Sequence, residues 1–410
     1  MTASTPSESA GARAWLVVAV GFAALAVSFT ARALLGLTMT AWEDAFGWSR
    51  AFVSSAGAIA LVVMAVVAPL AGALADRFGA RPVMLTGLAA LAGAGLLARA
   101  AEAPWQLMLA LGLLGGIGYG FVAQHVVAAI VAAWFTARRG LATGLALAGS
   151  TAGQLLLIPV MAWLLATIAW GAPFGAVAIL ALGLMPAVWF ATRRRALGQH
   201  HANAHEGLRE RLGRLASSQA FRALFASFTL CGFTTTGVVE THLFPYAALC
   251  GFVPLESAQA YSVLAGFNLI GMILAGWLVD RVHRPSLLGA IFFLRALSFL
   301  VLMDIAGSLP ALYVFAAMFG LLNFSVFPVI AGIVASRLGV GVMGLALGVL
   351  FTGHSLGAAV GMLAAGVLYD LYARYVWVWI IAFALAALAG AIALTIRDPG
   401  PSPAPTLATA

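Results

Sequence analysis

The chain has 410 residues, of which 63% are hydrophobic and only 8% are charged. An ordinary globular domain carries about 25% charged residues, so a water-soluble fold is excluded because it could not bury this much apolar surface. The formal net charge of +8 would suit a nucleic acid or an anionic lipid surface. The positions of the charges along the chain indicate membrane topology instead.

Apolar runs long enough to cross a bilayer recur along the whole sequence, since a helix needs about 20 residues to cross the ~30 Å hydrocarbon core. The runs are too long and too rich in Leu, Ala and Gly for barrel strands, and backbone groups in lipid must be paired within each segment. The sequence therefore predicts an all-α membrane protein with twelve transmembrane helices. The predicted spans are 14–39, 51–74, 83–100, 105–131, 140–168, 171–192, 219–247, 257–278, 286–305, 309–333, 342–369 and 375–396.

All 21 basic residues are arginines, and their distribution predicts the orientation of the chain. With the N-terminus in the cytoplasm, only Arg50, Arg99 and Arg374 fall on the outer side, while Arg32 and Arg295 fall within spans. The other arginines fall on the inner side, which is the bias of cytoplasmic loops. We therefore expect a multi-pass protein of the inner membrane with both termini in the cytoplasm. Its expected surroundings are membrane lipids, and no nucleic-acid partner is predicted.

The longest polar interruption, at 193–218, separates six spans from six. It contains His200, His201 and His205, for which a solvated linker is favoured over a metal site. No cofactor is expected. The predicted regions are a cytoplasmic N-terminal segment 1–13, a six-helix bundle 14–192, a cytoplasmic linker 193–218, a second six-helix bundle 219–396 and a disordered cytoplasmic tail 397–410.

Two stretches of the sequence recur 204 positions apart. The segment GALADR at 72–77 matches GWLVDR at 276–281, and the spaced glycines of 140–153 match those of 344–357 at the same offset. A single register over two separate segments indicates a duplicated unit. Six plus six spans with both termini on one side predict two bundles related by a parallel pseudo-twofold repeat, with a path between them.

The repeated loops also carry a family resemblance. GALADRFGARP at 72–82 and its partner GWLVDRVHRP at 276–285 resemble the loop signature of the major facilitator superfamily. The resemblance implies that the bundles rock against each other and that charges in these loops lock them in one conformation. The alternative is that these charges only set topology. The gating residues implied are Asp76, Arg77, Arg81, Arg138, Arg139, Asp280 and Arg281.

Within the superfamily, WFTARRGLATGLALAGSTAG at 134–153 resembles the fifth-span signature of the monocarboxylate transporter family. FGWSR at 46–50, CGFTTTGVVETHLFPYA at 231–247 and FFLRALSFL at 292–300 are similar to bacterial relatives of that family. The Gly-Pro-x-x-Gly-Gly stretch of the similar drug/proton antiporters is absent from the fifth span. A drug exporter is therefore less favoured.

Arg32 lies in the outer half of the first span, and an arginine at a helix centre costs about 2.5–3.5 kcal/mol on insertion. At helical spacing Gly21, Ser28, Arg32 and Gly36 share a small, polar face that is expected to line the path. The resemblance places Arg32 about where monocarboxylate transporters have a first-span Lys that binds the substrate carboxylate. A guanidinium suits that role through a bidentate hydrogen bond. The alternative is a side chain that snorkels to the outer interface.

Two other positions within spans qualify this interpretation. Arg295 lies deep in the ninth span, which is peripheral in the superfamily, and is expected to pair with neighbouring helices or carbonyl groups rather than with substrate. Many monocarboxylate transporters have an Asp and an Arg on the eighth span where this chain has Asn268 and Met272. Either Arg32 holds the anion with polar help, or the substrate is not an ordinary monocarboxylate.

Polar residues on the helices that line the path in this superfamily are the other candidates for substrate binding. With Arg32, the substrate-binding candidates are Tyr119, Gln124, His125, Asn268, Asn323 and His354. Each polar residue could instead make an interhelical hydrogen bond of ~0.6 kcal/mol. Glu240 and His242 on the seventh span are the proton-coupling candidates because they titrate. The alternative is that both are hydrated at the outer mouth, close to Pro245.

The whole sequence predicts a secondary active transporter rather than an enzyme. It is expected to move a small organic anion, a monocarboxylate or a related acid, by alternating access, with proton symport and a monomeric state as further expectations. One alternative is efflux of an amphipathic or drug-like compound, with Glu240 binding the substrate. The alternative from another class is a non-transporting membrane sensor or a membrane-embedded enzyme, although the spans contain no His-x-x-x-His, Asp-rich or Cys-pair motif.

Overall fold

The computed structural model of the chain describes residues 8–135, 139–192, 208–305, 307–339 and 342–398. All regular secondary structure in these ranges is helical. Within them, twelve helices are long and apolar enough to cross a membrane, which confirms the predicted fold class. The spans are numbered first to twelfth in chain order.

The N-terminal half contains six spans, of which the fourth differs from the predicted continuous run 105–131. It contains a π-helical segment and is interrupted at Val122 and Ala123, after the glycines Gly116, Gly118 and Gly120 that favour helix poorly. The first span is Glu8–Leu37, followed by a short helix Met39–Phe46; the second is Arg50–Phe78, the third Ala80–Arg99, the fourth Pro104–Leu107, Met108–Gly115, Gly116–Phe121 and Gln124–Trp134, the fifth Arg139–Thr167 and the sixth Ala172–Ala191.

The C-terminal half repeats this plan with two irregular spans, the seventh with a π-helical segment and the tenth with an interruption. A short helix lies in the second part of the predicted linker, directly before the seventh span. The helices are Leu208–Ser217; the seventh span Gln219–Gly232, Phe233–Val239 and Glu240–Leu249; the eighth Pro254–Leu278; the ninth Arg284–Met303; the tenth Leu309–Asn323 and Val326–Arg337; the eleventh Met343–Tyr372; and the twelfth Val376–Leu394.

The packing of the spans follows one exchange rule. In the N-terminal half the first span packs on the fifth, the second on the fourth and the third on the sixth. In the C-terminal half the seventh packs on the eleventh, the eighth on the tenth and the ninth on the twelfth. Between the halves, the second span packs on the eleventh and the eighth on the fifth. Exchanging each span with the one six places away in chain order reproduces the same set of pairs, as expected for two bundles related by a parallel repeat.

Arg295 explains how the tenth span is interrupted inside an apolar environment. Its fully buried guanidinium donates to the backbone carbonyls of Leu322 and Asn323, which the interruption leaves without helical partners. It also donates to the Cys231 sulfur on the seventh span at 2.9 Å. Arg295 therefore joins the ninth, tenth and seventh spans, as the sequence predicts for a structural pairing with neighbouring carbonyls.

The described chain ends at Asp398, beyond the twelfth span. The Asp398 carboxylate accepts hydrogen bonds from Arg284 at 3.2 Å and from the Ser336 hydroxyl at 2.8 Å. It thus ties the chain after the twelfth span to the ends of the ninth and tenth spans. The predicted disordered tail lies outside the described residues from position 399 onward.

Candidate functional site

An ion pair joins the two halves between the first and seventh spans. The Arg32 Nη2 donates to the Glu240 Oε2 at 3.0 Å, and the side chains are 19% and 7% exposed. The Arg32 guanidinium carbon also lies 4.5 Å from the centre of the Phe29 ring. The two helices can approach this closely because Gly36 faces the backbone carbonyl of Thr241, where any side chain would collide. Two predicted residues, from opposite halves and 208 positions apart, are therefore in direct contact.

Two narrow cavities flank Arg32, and both are also lined by Met362 of the eleventh span. One encloses about 290 Å³ between the first, second, fourth and eleventh spans, and Gly57 lies on its wall. The other encloses about 230 Å³ on the side of Glu240. The first is lined by Arg32, Leu35, Gly57, Ala60, Leu61, Leu111, Tyr119 and Met362. The second is lined by Arg32, Ala33, Thr236, Glu240, Thr241, Tyr261 and Met362.

A polar chain extends from the ion pair to the interrupted tenth span. The Asn323 amide donates to the Glu240 Oε1 at 3.4 Å, so Glu240 has a partner on each carboxylate oxygen. The backbone carbonyl of Asn323 in turn accepts from Arg295 at 3.0 Å. The chain holds two arginines for one carboxylate. This excess of positive charge favours an anion in the adjoining cavities.

The other predicted lining residues are dispersed. Gln124 donates to the Ser150 hydroxyl at 3.0 Å, within the N-terminal half. His354 packs 4.6 Å from the Phe228 ring, within the C-terminal half. Asn268 is fully buried, and neither its amide oxygen nor its amide nitrogen has a partner among the described residues. The side chain of His125 lies outside the described part of the chain, so its role stays a prediction.

Arg50 organises a second contact between the halves, at the end of the second span. Gly47, in the left-handed conformation, ends the preceding short helix, and the Ser49 hydroxyl caps the second span by accepting from a backbone N–H. The Asp370 carboxylate of the eleventh span accepts from the backbone N–H of Arg50 at 3.2 Å and of Ala51 at 2.9 Å. A carboxylate at a helix N-terminus is favourable because of the helix dipole.

The Arg50 guanidinium is almost completely buried among residues of both halves. It donates to Glu43 at 2.9 Å, to the backbone carbonyl of Pro245 at 3.5 Å and to the Tyr375 hydroxyl at 3.2 Å. Its carbon lies 3.8 Å from the centre of the Tyr369 ring. We call the side of the molecule that carries these contacts the Arg50 end, and the opposite side the Arg77 end.

His242, a proton-coupling candidate, belongs to the contacts of the Arg50 end. Its Nδ1 lies 3.0 Å from the Tyr375 hydroxyl, and its Nε2 lies 3.0 Å from the Met362 carbonyl and 3.3 Å from the Ser54 hydroxyl. Because the Met362 carbonyl can only accept, the Nε2 carries a proton and the Nδ1 accepts from Tyr375 in the neutral ring. Both ring nitrogens are therefore used to join the halves.

At the Arg77 end, the described gating candidates contact aromatic rings of their own halves. The guanidinium carbons of Arg77, Arg81 and Arg281 lie 5.1 Å, 4.5 Å and 4.2 Å from the rings of Phe78, Trp189 and Trp277. Asp280 is exposed. None of these four side chains forms an ion pair with another described residue. Arg138, and the side chains of Asp76 and Arg139, lie outside the described residues, so their gating roles stay predictions.

Glycine packing shows the same difference between the two ends. At the Arg50 end, a Cβ on Gly366 would lie only 2.8 Å from the Arg50 carbonyl oxygen of the other half. At the Arg77 end, a Cβ on Gly72, Gly276 or Gly344 would meet no described atom within 4 Å. The described parts of the two halves therefore touch at backbone distance at the Arg50 end and are apart at the other.

Comparison with known proteins agrees with this architecture. The family model described as Major Facilitator Superfamily matches residues 21–294 and 260–410. The chain belongs to the major facilitator superfamily. As a member of that superfamily it is a multi-pass membrane transporter rather than an enzyme.

Three relatives of this transporter resemble most of its length. It is 29% identical over 367 residues to Monocarboxylate transporter 13 of Rattus norvegicus, covering 89% of this chain and 84% of that protein. It is 31% identical over 384 residues to Monocarboxylate transporter 11 of Homo sapiens, covering 90% and 80%. It is 27% identical over 349 residues to the Uncharacterized MFS-type transporter YcxA of Bacillus subtilis (strain 168), covering 82% and 84%. These matches confirm the resemblance that the sequence motifs indicate.

The structure of the transporter also brings in residues that the sequence reasoning did not select. Arg50 and Asp370 look like charges of outer loops, and Gly57 has no side chain to draw attention to it. The repeat could have indicated Gly57, because the position 204 residues further on is Tyr261. Gly57 and Tyr261 lie on different cavities beside Arg32.

Proposed function

We propose that this transporter moves a small organic anion, a monocarboxylate or a related acid, across the inner membrane by alternating access and together with a proton. The observation that carries the proposal is the contact between Arg32 and Glu240, which joins the halves and lines the cavities. A guanidinium can exchange one carboxylate for another without loss of hydrogen bonds. The carboxylate of the substrate would therefore replace that of Glu240 on Arg32.

Proton coupling follows from this exchange. A Glu240 carboxylate that has lost Arg32 would be left charged in a position that is only 6% exposed. Leaving a buried charge unpaired costs several kcal/mol, and binding a proton removes that cost. Glu240 would therefore take up a proton when Arg32 takes up the anion. His242 is less suited to this role because both of its ring nitrogens join the halves at the Arg50 end.

The difference between the two ends supports alternating access between bundles 14–192 and 219–396. The halves are joined at the Arg50 end and apart at the Arg77 end, so this conformation would be open toward the Arg77 end. The arginine bias of the loops places that end, with both chain termini, in the cytoplasm. In the opposite conformation the charges at Asp76, Arg77, Asp280 and Arg281 would come together, which supports their proposed role in gating.

The substrate class has two independent supports. Two arginines for one carboxylate in the polar chain favour an anion, and two of the relatives are named monocarboxylate transporters. The eighth span has Asn268 in place of an acidic residue, so Glu240 on the seventh span would supply the proton site. A monomer would suffice, because both halves of the path belong to one chain.

The experiment measures uptake of labelled straight-chain monocarboxylates, from acetate to octanoate, into proteoliposomes with an internal pH dye. Arg32→Ala is expected to reduce uptake at least about 100-fold, since a charge-assisted bidentate contact contributes roughly 3 kcal/mol. Arg32→Lys keeps the charge and should retain an intermediate rate. Glu240→Gln should retain anion exchange but lose the internal acidification that accompanies uptake.

The double variant Arg32→Ala with Glu240→Gln is the control for folding, since it leaves no buried carboxylate without a partner. It should elute and melt like the wild type and transport no acid; full transport by this variant would refute the proposal. In the alternative of efflux of an amphipathic cation, Glu240→Gln would abolish transport and Arg32→Ala would not. A sensor would move none of the acids in any variant.

A further inference from the structure

The two cavities beside Arg32 occupy related positions in the two halves but differ in one pair of residues. Gly57 on the second span and Tyr261 on the eighth are equivalent in the repeat, since they are 204 positions apart. Gly57 lines the cavity that also contains Tyr119, and Tyr261 lines the cavity that contains Glu240. One half therefore has no side chain where the other has a large ring. The ring is fixed in place, because it stacks 5.0 Å from Phe244 and its hydroxyl accepts from Gln154 at 3.3 Å.

The Gly57 cavity has a polar end and an apolar wall. Arg32 and Tyr119 supply the polar groups, and the Tyr119 hydroxyl makes no hydrogen bond to another described residue. The rest of the lining consists of aliphatic groups and the Met362 thioether, principally Leu35, Leu61 and Leu111. This division matches a molecule with a carboxylate at one end and a short hydrocarbon chain at the other.

Gly57 determines how much room this wall leaves. A Cβ at this position would overlap the Met362 sulfur and would lie 2.8 Å from a terminal methyl of Leu35. Both clashes are with the ends of side chains, and no backbone atom is among the nearest contacts. An added methyl group can therefore be accommodated, but only by moving Met362 and Leu35, which both line the cavity.

We propose that the Gly57 cavity receives the hydrocarbon end of the transported acid, and that Gly57 and Met362 set the longest chain accepted. This inference rests on the proposed function and deepens it. The carboxylate binds to Arg32 and Tyr119, and the chain extends along Gly57 toward Met362. Tyr261 blocks the equivalent position on the other side, so the acid binds in one orientation.

The test compares acids within each protein preparation, so the amount of folded protein cancels. Acetate, butyrate, hexanoate and octanoate compete against uptake of labelled acetate in proteoliposomes. Gly57→Ala should weaken the longest acid that the wild type accepts by at least about 10-fold relative to acetate, because a misfit of one methylene in an apolar pocket changes discrimination 10- to 200-fold. Met362→Ala should shift the preference in the opposite direction, toward longer acids.

Gly183→Ala is the matched control, since Gly183 is exposed on the sixth span and an added Cβ meets no described atom within 4 Å. It should leave the order of the acids unchanged. The inference is wrong if Gly57→Ala weakens all four acids equally or leaves their ratios as in the wild type. Failure of the proposed function looks different, because the wild type itself would then transport none of the acids, and the inference would fall with it.

Discussion

The Arg50 end and the Arg77 end both have conspicuous arginines, but they use them differently. At the Arg50 end, Arg50 is buried and contacts groups from both halves, and Asp370 of one half binds the helix N-terminus of the other. At the Arg77 end, Arg77 and Arg281 are exposed and rest on aromatic rings within their own halves. Charge alone therefore does not join the halves. They are joined where a charged group reaches across and meets a desolvated partner.

Removing the centre of the Arg50 end should have the largest effect on this difference. Arg50→Ala deletes hydrogen bonds to Glu43, Pro245 and Tyr375 and the contact with the Tyr369 ring. Breaking a buried pair of this kind costs roughly 3–5 kcal/mol. We expect the variant to favour opening of the Arg50 end by at least about 100-fold.

The opening can be measured as a distance between spin labels on the two halves. Labels at the exposed positions Glu102 and Arg374, with Cys231 and Cys250 replaced by serine, report separation of the Arg50 end in double electron–electron resonance. Arg50→Ala should convert most of the distribution to longer distances. A distribution identical to that of the labelled parent would show that the contacts of Arg50 do not hold the halves together.

Asp370→Asn should have a smaller effect of the same sign. The Asp370 carboxylate is exposed and accepts from two backbone N–H groups, and losing a helix cap of this kind costs about 1 kcal/mol. The same label pair should show about a fivefold increase in the open population. An effect as large as that of Arg50→Ala would mean that capping, rather than the buried guanidinium, dominates the contact.

Arg77→Ala should have the smallest effect in this conformation. Arg77 is exposed and its one described contact is with the neighbouring Phe78 ring, so its removal should change the distance distribution by less than the scatter between preparations. Its transport rate should fall nonetheless, because the proposed gating contact forms only in the opposite conformation. An unchanged rate would leave Arg77 as a residue of topology alone, which is the alternative stated for the sequence.

Much of the architecture could be predicted because the bilayer restricts the choices. Long apolar runs, arginine bias and a constant repeat register lead to twelve helices in two bundles. The interruptions of the fourth and tenth spans could not be predicted in the same way. In the tenth span the interruption depends on Arg295, which lies on another helix and supplies the missing donors to Leu322 and Asn323.

The candidate site was only partly predictable for a related reason. An arginine or glutamate within a span is conspicuous because it is costly there, so Arg32 and Glu240 could be selected separately. Their direct contact depends on how closely the first and seventh spans cross, which Gly36 permits and no local pattern reveals. Gln124 and His354 illustrate the opposite error margin, since polar residues on suitable helices can bind Ser150 or pack on Phe228 instead.

The pairing of Arg32 with Glu240 bears on how the transporter would respond to membrane voltage. The empty carrier holds one positive and one negative charge at this site, which cancel. With the anion on Arg32 and a proton on Glu240, the charges cancel again. Moving one uncompensated charge through 100 mV would cost or release about 2.3 kcal/mol, and neither form carries one at this pair. A cell would therefore drive this carrier with its pH gradient, and the electrical potential across the membrane would neither help nor hinder it.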